Sequence, residues 1–226
     1  MRYRSVTRAV FLERPNRFVA RVETEWGEAL TCHVKNTGRC RELLVPGAKV
    51  ILTPGVRPGR KTAWDLVAVW KGARLINMDA QAPNQAAREA LEAGVFGPVA
   101  DLRAEQRHGD SRFDFSFQKD GRPSFLEVKG VTLEDGGVAR FPDAPTLRGA
   151  RHLRELADWA AAGNGAYVLL VIQMEGVAYF TPNDATDPAF GAALRAAAGV
   201  GVNILAWDCR VTEDSMCLRA PVPVRL

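Results

Sequence analysis

SRFDFSFQKDGRPSFLEVKGVT, residues 111–132, decides how the rest of the chain is read. In its first half Phe113, Phe115 and Phe117 alternate with Asp114 and Ser116. This is the period-2 pattern of a strand with one face in a core, and it sends the aromatics inward and the carboxylate to the opposite face. In the second half Leu126 and Val128 alternate with Phe125, Glu127 and Lys129, and KDGRP at 119–123 supplies the turn between two strands. Glu127 and Lys129 therefore share a face. Two strand-borne carboxylates and one lysine aimed into a common cleft are the parts needed to hydrolyse a phosphodiester. Asp114 and Glu127 are hard oxygen donors suited to Mg²⁺ or Mn²⁺, which bind through one or two carboxylates together with water and phosphate oxygens. Lys129 can orient the attacking water or neutralise developing charge. Glu-x-Lys by itself is a weak signal, better explained by an ion pair on the polar face of an ordinary hairpin. Asp114 on the preceding strand brings the two readings level, and the motif needs support from elsewhere in the chain.

The charge distribution points outward from this segment to nucleic acid. Residues 1–79 hold 15 Lys+Arg against 7 Asp+Glu, whereas the remainder holds 15 against 19, so the basic excess lies wholly in the N-terminal third. At 226 residues the chain can bury one large core or two modest ones, and the charge asymmetry favours two domains, 1–79 and 80–226. MRYRSVTRAVFLERP has no apolar stretch of signal-peptide length, and AYVLLVI at 166–172 is too short to span a bilayer, so a soluble, cytoplasmic protein is expected. Cys32 and Cys40, and Cys209 and Cys217, have seven residues between the members of each pair, too many for a zinc knuckle or a redox motif. They read as reduced, mostly buried thiols, and His33 as a structural histidine.

The first domain reads as five short strands at 7–14, 17–24, 28–35, 48–54 and 63–70, with room for a helical turn at RELL after the third. That order matches the small Greek-key barrel called the OB-fold, whose loops between strands 1 and 2 and strands 4 and 5 commonly grip nucleic acid. Those loops carry Arg14 and Arg17 in the first and Arg57, Arg60 and Lys61 in the second. Trp26, Trp64 and Trp70 are stacking candidates, with rim packing the commoner use of such residues. The second domain reads as a mixed α/β fold. A helix is expected at about 83–94, a long one at about 146–162 and a third at about 188–198, around the buried strand AYVLLVI. In the long helix Arg148, Arg151 and Arg154 recur every three residues, opposite the apolar positions Leu153, Leu156, Ala157 and Ala160. Arg148 and Arg151 sit in the first turns, where the helix dipole also favours an anion, so they join the expected DNA contacts.

Several stretches together resemble the sugar fermentation stimulation protein family: HVKNTGRCRELLVPG at 33–47, NQAAREALEAG at 84–94, RFDF at 112–115, FLEVKGVTL at 125–133 and FPDAPTLRGARHLREL at 141–156. The resemblance implies an N-terminal OB-like β-barrel followed by a PD-(D/E)xK nuclease-like α/β domain with a mixed sheet. It also implies DNA binding and a link to the regulation of sugar use, notably maltose. By position Asp114, Glu127 and Lys129 correspond to the nuclease-type motif, and Glu89 to the acidic residue of the preceding helix. On this reading Asp114, Glu127 and the Val128 carbonyl hold the first metal, and Glu89 holds a second metal or its waters. Gly130 stands where a small polar residue is frequent, removing a hydrogen bond behind the site, and Cys40 stands where methionine is frequent. The expected function is DNA binding, single- or double-stranded, with Mg²⁺- or Mn²⁺-dependent cleavage. A regulator that binds DNA without cutting is the alternative, and an enzyme acting on a small phosphorylated metabolite would leave the basic barrel without a use.

Overall fold

The computed structural model describes residues 1–36, 38–55 and 59–226. Six strands come first: β1 (Thr7–Asn16), β2 (Val19–Thr24), β3 (Ala29–Val34), β4 (Lys49–Pro54), β5 (Trp64–Lys71) and β6 (Arg74–Asn77). Antiparallel pairing runs β3-β2-β1-β4-β5, and a parallel pairing of Cys32–Val34 with Trp64–Leu66 closes the five strands into a barrel. Full closure removes the free strand edges that an open sheet would expose. The alternating burial of β1 and β2 follows from this, with Ala9, Phe11, Ala20 and Val22 inside and their neighbours outside. β6 was not expected; it pairs with the end of β5 through a tight turn at Gly72. At RELL the chain makes a hydrogen-bonded turn, with the Leu43 and Leu44 N–H groups both donating to the Cys40 carbonyl.

The α/β domain begins with α1 (Ala82–Glu92) and continues through β7 (Ala100–His108), β8 (Ser111–Lys119) and β9 (Arg122–Val131). After β10 (Leu133–Asp135) and β11 (Val138–Phe141) come α2 (Leu147–Ala161), β12 (Gly165–Ile172), β13 (Tyr179–Pro182), α3 (Pro188–Gly199), β14 (Asn203–Val211) and β15 (Met216–Pro221). The main sheet has the order β15-β14-β12-β9-β8-β7, parallel at β14-β12-β9 and antiparallel at both edges. The parallel centre requires cover on both faces. On one face α1 lays Ala82, Ala86, Ala87 and Leu91 against Phe115, Leu126 and Val128. On the other, α2 buries Leu153 and Leu156, each contributing ~1.5–3 kcal/mol relative to exposure. Helix α2 starts where Thr146 Oγ1 accepts the Gly149 N–H, and Asp187 caps α3 in the same way through the Phe190 N–H. Among the described residues no helix is long and apolar enough to cross a membrane. The four cysteines are free thiols, three buried and Cys217 exposed.

One expectation about β8 is corrected. Phe113, Phe115 and Phe117 do not share one environment: Phe113 stacks near Phe125, with centroids 4.9 Å apart, and near His152 under α2, whereas Phe115 and Phe117 pack on the α1 side. The reason lies at Asp114, where the β8–β9 pairing stops at Phe115 opposite Leu126 and the aspartate side chain takes over.

Barrel and α/β domain are joined by a cluster around Glu134, which accepts from Lys71 Nζ at 2.8 Å, Arg74 at 2.8 Å and the Gly137 N–H at 2.6 Å. Burial acts to raise this carboxyl, but Lys71, the Gly137 N–H and Arg74 outweigh it and hold the pKa at about 2. A depressed carboxyl stabilises the fold above its ordinary pKa of 4.5 and loses that contribution as pH falls toward about 2. Glu134→Gln is therefore expected to cost up to ~3 kcal/mol at neutral pH. In denaturant unfolding the gap from wild type should narrow steadily as pH drops below 4.5.

Candidate active site

The site is built where β8 and β9 part. Asp114 sends Oδ2 to the Val128 backbone N–H at 2.7 Å and Oδ1 to Asn84 Nδ2 of α1 at 2.7 Å, so a side chain from one strand replaces a ladder bond to the next. The N–H and C=O of one strand residue point to the same side. The Val128 carbonyl thus also faces the gap at Asp114. Glu127 is 3% exposed, and its Oε1 meets Lys129 Nζ at 2.5 Å and His152 Nδ1 at 2.5 Å. Its other oxygen, Oε2, is buried with no hydrogen-bond partner among the described residues. An unpaired buried carboxylate oxygen costs free energy of order 1–3 kcal/mol or more unless something occupies its lone pairs.

Electrostatics point to a cation as that occupant. Burial pushes the Asp114 carboxyl up, and the neighbouring Glu127 charge adds to this, against the pull of the Val128 N–H and Asn84. Glu127 goes the other way: burial acts to raise it, but His152 and Lys129 together hold it below the usual carboxylate range. A divalent ion between them would relieve both the desolvation and the mutual repulsion. The two carboxylates, the orphan Oε2 and the carbonyl at the gap fit a hard cation that keeps several waters. Among the described residues no group of three or more His, Cys, Asp or Glu side chains converges as a closed metal cage.

Asp114, Glu127, Lys129 and Val128 are brought together as expected from the sequence, but Glu89 is not. It lies on the exposed face of α1, bound to the Met1 ammonium at 2.5 Å and to Gln85, while the residue of α1 that reaches Asp114 is Asn84. The two positions are five residues apart, which turns them well away from each other around the helix. His152 was also missed. It is the buried histidine of α2, on the same face as Leu153 and Leu156, and the polar residue within that apolar stripe was the signal. Arg148 Nε donates to His152 Nε2 at 3.3 Å, which assigns the ring proton to Nδ1 and makes the imidazole a donor to Glu127. Gly130 has a packing reason: a Cβ there would come 2.5 Å from Gln173 Oε1 and 2.8 Å from Pro83 Cγ.

The basic residues separate into two groups. Arg14 is occupied, donating to the carbonyls of Arg17, Asn36, Gly38 and Arg39, and Arg60 is paired with the buried Asp65, so neither projects into solvent as expected. Arg57 lies outside the described residues. Lys61, Arg148 and Arg151 are exposed, and so is Arg17, whose guanidinium stacks 4.6 Å from the Phe18 ring. A cavity of about 400 Å³ lies between the domains, bordered by Arg17 and Asn36 of the barrel and by Gly130, Arg140, Thr146 and Gln173 of the α/β domain. It opens beside the end of β9 that carries Lys129. Trp26 is 63% exposed, while Trp64 and Trp70 are half-buried.

Two family models match the chain: "SfsA N-terminal OB domain" over residues 12–78 and "Sugar fermentation stimulation protein RE domain" over residues 81–215. A sugar fermentation stimulation protein homolog of Desulfitobacterium hafniense is 55% identical over 216 residues, covering 96% of this chain and 94% of that one. The homolog of Ruminiclostridium cellulolyticum is 49% identical over 227 residues, with both chains covered completely. Among solved structures, Pyrococcus furiosus SfsA in complex with Ca²⁺ superposes with a TM-score of 0.90 at 27% identity, covering 100% of this chain and 98% of that one.

The Glu127 environment makes a specific prediction. With His152→Ala, burial is opposed by Lys129 alone, so the Glu127 carboxyl should titrate at higher pH in carboxyl-detected NMR. Folding stability should fall by roughly 1–3 kcal/mol, the usual cost of leaving one buried polar partner unmatched.

Proposed function

The chain belongs to the sugar fermentation stimulation protein family, and we propose that it binds DNA and cleaves phosphodiester bonds with Mg²⁺ or Mn²⁺ at Asp114 and Glu127. The observation that carries this reading is Glu127 Oε2, buried and unpartnered beside Asp114 while Lys129 and His152 hold the opposite oxygen. That the Pyrococcus furiosus relative was solved in complex with Ca²⁺ supports the use of a hard divalent ion.

Asp114, Glu127 Oε2 and the Val128 carbonyl would hold the metal. When bound, the ion supplies Lewis-acid stabilisation of charge on the attacked phosphate and a more acidic water. The protein's own groups do the rest. Asn84 and the Val128 N–H fix the Asp114 carboxylate, and His152 fixes Glu127. Lys129 has three N–H donors and spends one on Glu127, leaving two to direct at the water or at a non-bridging phosphate oxygen. Arg17, Lys61, Arg148 and Arg151 would hold the DNA backbone and set its register without reading bases. Glu89, engaged elsewhere, has no part in this scheme.

A regulator that binds DNA without cutting is favoured by one observation, the lack of any third acidic ligand at the site among the described residues. The two readings separate on Lys129. Calorimetry should show Mg²⁺ or Mn²⁺ binding to wild type that is lost in Asp114→Asn. Lys129→Ala should keep DNA and metal binding but lose turnover by ~10²-fold or more on single-stranded, duplex or branched DNA, with Glu127→Ala as the inactive control. Wild-type protein that binds DNA and metal yet cuts none of these substrates leaves the non-cutting regulator as the function. In either case DNA affinity should fall steeply with salt, and a flat response would remove DNA as the partner.

A further inference from the structure

Beyond the carboxylates, the tip of the β7–β8 hairpin and the first turns of α2 enclose a second cavity, of about 450 Å³. Arg107 and Arg112 enter it from the hairpin and Arg148 and Arg151 from the helix, with Ser111 and His152 also in its wall. Ser111 is 3% exposed, and its Oγ is buried with no hydrogen-bond partner among the described residues. A hydroxyl left dry in a wall that carries four guanidinium groups lacks an acceptor, and an oxyanion is the acceptor that suits all five groups at once.

Charge and shape narrow the ligand. Asp110 lines the cavity, and Glu155 approaches the hairpin turn, its Oε2 lying 3.3 Å from where a Cβ on Gly109 would sit. Set against four arginines, these two carboxylates leave an excess of two positive charges. Glu105 touches Arg112 at 3.5 Å, but both side chains are more than half exposed, so this loose pair gives way readily to a stronger anion. A phosphodiester inside a strand carries one charge, whereas a phosphomonoester carries about −1.5 to −2 at neutral pH and offers three acceptor oxygens. Among the described residues the one ring in the wall is His152, whose two nitrogens are engaged by Arg148 and Glu127, and no Phe, Tyr, Trp or aliphatic side chain offers a base a stacking face. His152 closes the connection: its Nε2 receives Arg148 from this cavity, and its Nδ1 contacts Glu127 of the cleavage site.

We propose that this cavity binds a phosphomonoester, the terminal phosphate of a nucleic-acid strand, and so places the strand end one imidazole away from Glu127. The identity of the strand as ligand rests on the DNA-cleaving function proposed above; the phosphate chemistry does not. A guanidinium–phosphate contact is strongest when bidentate, and several guanidinium groups converge here.

The test is binding without turnover, in EDTA, using one oligonucleotide in three forms: 5′-phosphorylated, 3′-phosphorylated and hydroxyl at both ends. One of the phosphorylated forms is expected to bind about tenfold more tightly than the hydroxyl form, and inorganic phosphate at millimolar concentration should abolish the difference. Arg107→Gln combined with Arg112→Gln, both on the exposed hairpin, should bring the phosphorylated form to the affinity of the hydroxyl form, and Ser111→Ala should do so in part. Equal affinity of wild type for all three forms overturns the proposal, whether or not the protein cuts DNA. Inorganic phosphate that competes equally against all three forms also overturns the terminal site, since it then acts on backbone contacts. Conversely, a preserved end preference in a protein that never cleaves would sink the nuclease reading and leave this cavity standing.

Discussion

The hydrogen bond from the Val128 N–H to Asp114 Oδ2 is the constraint on which the site depends. A carboxylate standing in for a backbone acceptor lets β8 and β9 diverge without leaving a buried amide unpaired, which would cost ~1–3 kcal/mol. Divergence opens the gap, turns the Val128 carbonyl toward it and brings the Asp114 and Glu127 charges close. The same bond explains why Phe113 parts from Phe115 and Phe117 and lies beside His152. Asp114 thus supports the backbone of the cleft as well as its charge, and a substitution there changes both.

From that gap the remaining parts are placed by neighbouring elements. Asn84 arrives from the start of α1, where Pro83 lies in the first turn and the Asp79 carboxylate accepts the Gln81 N–H. His152 arrives from α2, anchored by Leu153 and Leu156 in the core. Gln173, at the end of β12, donates to Asn77 and to the Asp79 carbonyl while lying across Gly130. The strand with the lysine is therefore braced on both sheet faces and at the domain junction. Such bracing holds polar groups in a fixed arrangement before any ligand arrives, the condition under which they stabilise developing charge most effectively.

Much of this was legible in the residues. Strand alternation located the barrel strands and the main-sheet hairpin, because period-2 burial is imposed locally by backbone geometry. Asp114, Glu127 and Lys129 were readable for the same reason, being on adjacent strands of one hairpin. The misses have a common origin in tertiary contact. Arg14 and Arg60 look like free cations in a loop, yet one satisfies four backbone carbonyls and the other a buried Asp65, and neither partner is visible from local composition. Glu89 matched a pattern on the right helix, but helix rotation gives the contact to Asn84. His152 was hidden because a histidine within an apolar stripe reads as packing until its partner across the sheet is known.

β6, the strand appended to the barrel, ends at Asn77 and α1 begins at Ala82, yet the apolar interior does not stop there: Phe11, Val22 and Leu52 belong to the same contiguous cluster as Leu153, Phe180 and Phe190. Lys71 and Arg74 reach across to Glu134 at the same boundary. Two halves with a shared interior do not behave as exchangeable modules. A barrel transplanted onto another catalytic body would arrive with uncovered hydrocarbon, and the α/β half alone would strand Glu134 without its cations. Selection then acts on the pair as one inherited unit, so substitutions that reshape the seam are expected to arise as matched changes on both sides.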